Sequence, residues 1–236
     1  MLPTERPTDP TTIKDLNELQ FNEPFVTTKG KGCRKCTVNY KGRPLTLQTP
    51  RLRLPFIYRV EDTSISGAIV ASNQNQHAAA FQDLIKRIDE HIIVKACENS
   101  ASWLGKAGIG VDVARQLYKG PYKVHEKYDP TFKMKFLQEE GSGVGNFTVW
   151  DEKHAPVEMT LEKCFQQHGH INAIIECTGV WIAGGNYGCN WRIRDLKVQP
   201  PDVHAYIFDD ALCGDDAGCV VAGCVDEEEA DPFPPE

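Results

Sequence analysis

Between Lys29 and Arg53 the chain carries Lys29, Lys31, Arg34, Lys35, Lys41, Arg43, Arg51 and Arg53, eight cations in 25 residues with no acid among them. A single-sign run of this kind is less often idle than a mixed one, and its chemistry is the attraction of a polyanion. Further along, aromatic and basic residues interleave. Lys133 and Lys135 are flanked by Phe132 and Phe136, while Arg192, Arg194 and Lys197 follow Trp181, Tyr187 and Trp191. Cations that track phosphates and rings on which bases stack are the two parts of a single-strand groove, each stacked base contributing roughly 1–3 kcal/mol. Trp150, Trp181, Tyr187 and Trp191 are the stacking candidates. Trp150 and Tyr187 adjoin turns, so exposure is expected there. Trp181, on an apolar strand, is expected half-buried, and Phe132, Met134 and Phe136 are expected in the core.

The charge is divided along the chain. All 26 Lys and Arg residues lie at or before Lys197, and the 39 residues from Val198 onward hold 11 of the 33 acidic groups. The body is therefore +4 and the tail −11, which the net charge of −7 hides. A basic body with an acidic tail is a polyanion-binding surface with a built-in competitor. Asp226, Glu227, Glu228, Glu229 and Asp231 surround one aromatic, Phe233, as in partner-docking peptides; a solubilising tail is the blander reading.

Catalysis finds little support. The chain has no GxxxxGK[ST] loop, no strand-linked GxGxxG, no HExxH and no GxSxG elbow. The expectation is a protein that is not an enzyme and needs no cofactor. Nine cysteines, an odd and scattered set, argue for free thiols. Cys33 and Cys36 alone have ligand-like spacing, and a structural zinc would need a second pair. No apolar run approaches the roughly 20 residues that span a bilayer. The start, Met1 to Pro7, lacks the apolar core of a signal peptide. An intracellular protein with no membrane partner is expected.

The elements that must position these residues are mostly short strands. Thr37–Tyr40, a turn at Lys41–Pro44 and Leu45–Gln48 read as a hairpin. Leu52–Tyr58 is a third extended piece, an edge or a bend because of Pro55. His77–Glu98 is a helix, since Phe81, Leu84, Ile85, Ile88 and Ile92 form one apolar stripe, with Asn73 or Asn75 as cap. Val111–Tyr118 reads as a second, short helix stopped by Gly120-Pro121. Thr131–Leu137 alternates as a strand, with Phe147–Trp150 as its return. Ile171–Trp181 and Trp191–Val198 are the last strands, joined by a glycine-rich turn. Five or more antiparallel strands with inserted helices fit a small Greek-key barrel of the OB type.

Four segments also resemble a family: Gly42–Pro50, Leu54-Pro55-Phe56, Thr131–Lys135 and Gly179–Gly188 look like the single-stranded-DNA-binding proteins of nucleocytoplasmic large DNA viruses. Those are similar in turn to a phage replication protein with an OB fold and an acidic tail. The similarity runs from about Lys29 to Phe208. It implies protection of single-stranded DNA during viral replication, recombination and repair, with the tail contacting replication enzymes and competing with DNA. It carries over to Lys133, Lys135, the Trp181–Tyr187 hairpin and the Asp226–Phe233 tail. One departure is that Pro234-Pro235-Glu236 follows Phe233, whereas the aromatic in such tails ends the chain or nearly so.

The resulting expectation is an N-terminal arm over 1–24, an elaborated OB-type domain over 25–208 and a disordered acidic tail over 209–236. Single-stranded DNA is the expected ligand. Polymerase and helicase–primase are the expected tail partners, the site of viral DNA replication in nucleus or cytoplasm is the expected location, and homo-oligomerisation stays open. The alternatives are a virion assembly protein that uses the barrel as an interaction scaffold, and a metal or thiol-redox protein built on Cys33 and Cys36.

Overall fold

Strand alternation puts Phe132 and Met134 inward and Lys133 and Lys135 outward, and this one strand sets the plan of the molecule. The structure, a computed structural model, describes residues 6–27, 32–59, 63–69, 76–138, 143–151 and 153–199. Five strands close on themselves: β1 (Leu52–Arg53), β2 (Ser64–Ile69), β3 (Thr131–Lys135), β4 (His170–Ala183) and β5 (Asn186–Gln199). β1 pairs with β2, β2 with β3, β4 with β5 and β4 with β1, all antiparallel. β3 meets β5 in parallel and completes the ring. The fold is a mainly β, closed five-stranded barrel of the OB type, as expected.

β4 and β5 are long, 14 residues each, and turn at Gly184-Gly185. Both glycines have positive φ, 57° and 77°, as a two-residue primed turn requires. β1 is prepared upstream by Thr46–Gln48, which also pairs with β4. Gln48 faces Ile174 but Leu52 faces Ile171, so the register slips by one residue around Pro50. Buried Thr49 bridges the slip. Its backbone N–H donates to the Ala173 carbonyl at 2.8 Å, and its Oγ1 accepts from the Ala173 N–H at 2.9 Å.

Helix α1 (Gln76–Glu98) lies in sequence between β2 and β3 and buries the expected stripe of Phe81, Leu84, Ile85, Ile88 and Ile92. Phe81 meets Phe132 edge-on at 5.2 Å between ring centres, so the helix seals one side of the barrel core. Two short helices follow, α2 (Ser100–Leu104) and α3 (Val111–Leu117), and α4 (Leu161–Cys164) precedes β4. The expected caps Asn73 and Asn75 lie outside the described residues. The segment expected as an N-terminal arm buries Ile13 and Leu19, and Arg87 of α1 donates to the carbonyls of Ile13 and Lys14.

Three strand expectations are corrected. Thr148–Trp150 does not return along β3; it runs parallel to β5 and antiparallel to Pro156–Val157. Of the edge or bend expected over Leu52–Tyr58, the bend holds at Phe56, while Leu52–Arg53 is no edge but is paired on both sides. Only Arg43–Pro44 closes the hairpin with Val38–Tyr40, because Thr46–Gln48 is taken by β4. No helix among the described residues is long and apolar enough to cross a membrane.

Candidate nucleic-acid interface

Lys133 and Lys135, the outward pair of β3, form one wall of a cleft of about 220 Å³. Trp181 of β4 and Cys189, Asn190 and Trp191 of β5 line its floor, and Lys119, Gly120, Pro121 and Lys123 form the opposite bank. That bank is pinned to the barrel by its backbone. The Lys119 N–H donates to the Tyr187 carbonyl at 2.8 Å, and the Lys133 N–H donates to the Pro121 carbonyl at 2.9 Å. Gly188 permits the approach, since a Cβ there would collide with the Lys119 carbonyl.

The cleft is strongly positive and unneutralised. Among the described residues, Lys35, Lys119, Lys123, Lys133 and Lys135 have no ion-pair partner. Burial holds the Lys135 ammonium below its ordinary pKa, and the charges of Lys133 and Lys35 push the same way. Lys35 belongs to the strand Arg34–Cys36, where it stands opposite Trp181. Clustered ammonium groups without counter-charge disfavour the fold, and a bound anion relieves them.

Beyond Lys135 the cationic surface continues. Arg192 and Arg194 line a polar recess of about 450 Å³ with Leu137, Gly145, Asn146, Phe147 and Thr148. Both guanidiniums rest on one carboxylate: Arg192 Nη2 and Arg194 Nη1 each lie 3.2 Å from Glu176. The buried Arg192 Nε has no hydrogen-bond partner among the described residues.

The other candidate residues are placed differently. Tyr187 is 0% exposed and its hydroxyl donates to the Ala114 carbonyl at 2.9 Å; Trp191 is 1% exposed. Neither ring offers a face to a base: Tyr187 is capped by α3, and Trp191 points into the barrel core, where it packs against Phe132. These two stacking candidates are corrected to core residues. Trp150 is half-buried, and its indole N–H donates to Asp195 Oδ1 at 3.0 Å. With Lys197 it lines a different recess, beside Gln48, His154 and Asn172. The Arg34 guanidinium donates to the carbonyls of Ser102 and Trp103 in α2. Lys41 pairs with Glu18 at 3.2 Å. Arg43, Arg51 and Arg53 do not line the cleft. Lys29 and Lys31 lie outside the described residues, as do Asp226, Glu227, Glu228, Glu229, Asp231 and Phe233. Sequence reasoning missed Lys119 and Lys123; their signal was the pair of lysines around Gly120-Pro121, which read only as a helix stop.

Cys36 is buried, its thiol donates to the Asn22 carbonyl, and burial pushes its pKa up to about 12. Among the described residues no group of three or more His, Cys, Asp or Glu is arranged to hold a metal.

The profile of a family of unknown function, DUF5871, matches residues 60–212. The chain belongs to that family. The matched span contains β2 to β5 and every residue that lines the cleft. No curated protein matches the chain. Among solved structures it is similar to gp2.5, a single-stranded DNA-binding protein encoded by bacteriophage T7, at 12% identity over 78% of this chain and 100% of that one, with a TM-score of 0.43. It is also similar to the single-stranded DNA-binding protein of bacteriophage Enc34 in complex with single-stranded DNA, at 13% identity over 77% and 97%, with a TM-score of 0.39. A C-terminally truncated form of the Enc34 protein gives 12% identity over 78% and 95%, with a TM-score of 0.41.

Proposed function

We propose that this protein is a binding protein, not an enzyme, that coats single-stranded DNA without reading its sequence. The observation that carries the proposal is the cleft in which Lys119, Lys123, Lys133 and Lys135 surround the half-buried Trp181. Lysines contact phosphates as point charges and carry no sequence information. A ring beside them can stack on any base, but only on one that is not already paired within a duplex. On this reading the ligand enters at Trp181, follows the β3 lysines and leaves past Arg192 and Arg194.

The finer reading is protection of single strands in viral DNA replication, recombination and repair, at the site of that replication in the host cell. The acidic tail would dock replication enzymes such as a polymerase or helicase–primase and would compete with DNA for the lysine cleft. The deciding experiment is a tryptophan-fluorescence titration with oligo(dT) at several salt concentrations. Quenching is expected, with log K falling linearly in log salt. An unquenched titration, or an affinity flat from low to moderate salt, overturns the proposal.

A further inference from the structure

Phe25 is 49% exposed on the short edge strand Phe25–Val26. This strand pairs antiparallel with Arg34–Cys36, and Phe25 stands directly opposite Lys35. Lys35 in turn stands directly opposite Trp181 in β4. Residues opposed in antiparallel pairs share a face, so Phe25, Lys35 and Trp181 form one row across three strands. The neighbouring rows agree. Cys36 faces Val180, and Arg34 faces Ile182; Cys36, Val180 and Ile182 are buried, and Arg34 reaches the carbonyls of α2. The alternation therefore turns Lys35 and Trp181 outward. At one strand spacing per step, Phe25 sits roughly 10 Å from Trp181, with Lys35 in the row between them.

We propose that Phe25 is a second base-stacking position, which extends the groove from Trp181 across the N-terminal hairpin. One base lies on Trp181, a phosphate lies over Lys35, and a further base lies on Phe25. The inference rests on the proposed single-strand binding and adds a direction: the bound strand runs off the barrel onto this hairpin. An aromatic with a cation beside it is the same pair of parts that makes the cleft, and every base has a face to stack.

The test compares wild type, Phe25→Ala and Phe25→Trp for affinity towards short and long oligo(dT), about 5 and about 16 nucleotides, within the span of one OB domain. Phe25→Ala is expected to lose about tenfold on the long oligomer and little on the short one, which Trp181 and the β3 lysines hold alone. Phe25→Trp is expected to keep wild-type affinity on both and to add quenching. Phe25→Ala binding long oligomers like wild type overturns the inference. So does a variant whose loss is equal on both lengths, or one whose only change is in self-association. Should wild type bind neither oligomer, single-strand binding itself has failed, a result distinct from failure of Phe25 alone.

Discussion

Lys135 lies opposite Arg192 in the parallel pairing that closes the barrel. One lines the lysine cleft and the other lines the arginine recess, so the cationic surface crosses the barrel seam without a break. A strand lying along this path meets lysines, whose charge is uncompensated, before it meets arginines already held by Glu176.

Removing the lysines should weaken binding uniformly. Lys133→Gln and Lys135→Gln should each lower affinity for all oligonucleotide sequences alike, and should each flatten the slope of log K against log salt by about 0.7. Titrations of oligo(dT) and of a mixed-sequence oligomer at several salt concentrations check both outcomes. A loss confined to one sequence would show that Lys135 reads bases.

The tryptophans should separate binding from folding. Trp181→Ala should cost roughly 1–3 kcal/mol of affinity with an unchanged thermal midpoint. Trp191→Ala should instead cost roughly 3–5 kcal/mol of stability, because the ring is buried against Phe132 at 6.2 Å between centres. Urea unfolding alongside DNA titration reads both. Equal effects of the two substitutions on both readouts would contradict the assignment.

Glu176 should act as an occupant that phosphate displaces. It is mostly buried, and its two oxygens serve Arg192 and Arg194. Glu176→Gln frees both guanidiniums for phosphate, so affinity should rise several-fold and the salt slope should steepen. Weaker binding by a folded Glu176→Gln protein would mean that the carboxylate orients the arginines for DNA instead.

Asp89 gives a pH signature. Tyr118 donates to it at 2.5 Å beneath Gly120, and burial raises its pKa from the ordinary carboxylate range to about 7. A carboxyl raised on folding binds more protons folded than unfolded, so its contribution to stability falls as pH rises from about 4 to about 7. Asp89→Asn cannot ionise. The variant's stability relative to wild type should therefore improve across that window and level off above it. Urea midpoints at pH 5 and pH 8 test this; an equal difference at both values refutes it.

If the acidic tail competes with DNA as proposed, deleting Asp226 to Glu236 should tighten binding of single-stranded DNA. The same deletion should abolish capture of a replication polymerase or helicase–primase, and Phe233→Ala should reproduce much of that loss. Paired affinity and pull-down measurements on full-length and truncated protein decide. Unchanged results in both would reduce the tail to a solubility device.

Local pattern was enough for the elements with a strong period. The stripe from Phe81 to Ile92 fixed α1, alternation from Thr131 to Lys135 fixed the faces of β3, and paired glycines fixed the β4–β5 turn, because each depends only on neighbours along the chain. The excess of cations in the body was equally plain. Pairing partners were not, since Thr148–Trp150 joins β5 across nearly 50 residues of sequence where a local hairpin was the simpler reading. Nor could the sequence choose among the tryptophans. Strict alternation would put Trp181 on the buried face with Ile171, Ala173 and Ile175, and Trp191 with Ile193; the register irregularity between Cys177 and Gly179 turns Trp181 outward, while Trp191 stays in the core against Phe132. The Lys119–Pro121 bank and α3 bury one end of β5, while Trp181 opens into the cleft they leave. The same covering brought Lys119 and Lys123 to Lys133, and folding alone set Glu176 between two arginines. Charge and periodicity are properties of the chain, but a groove needs two surfaces, and only the tertiary structure brings them together.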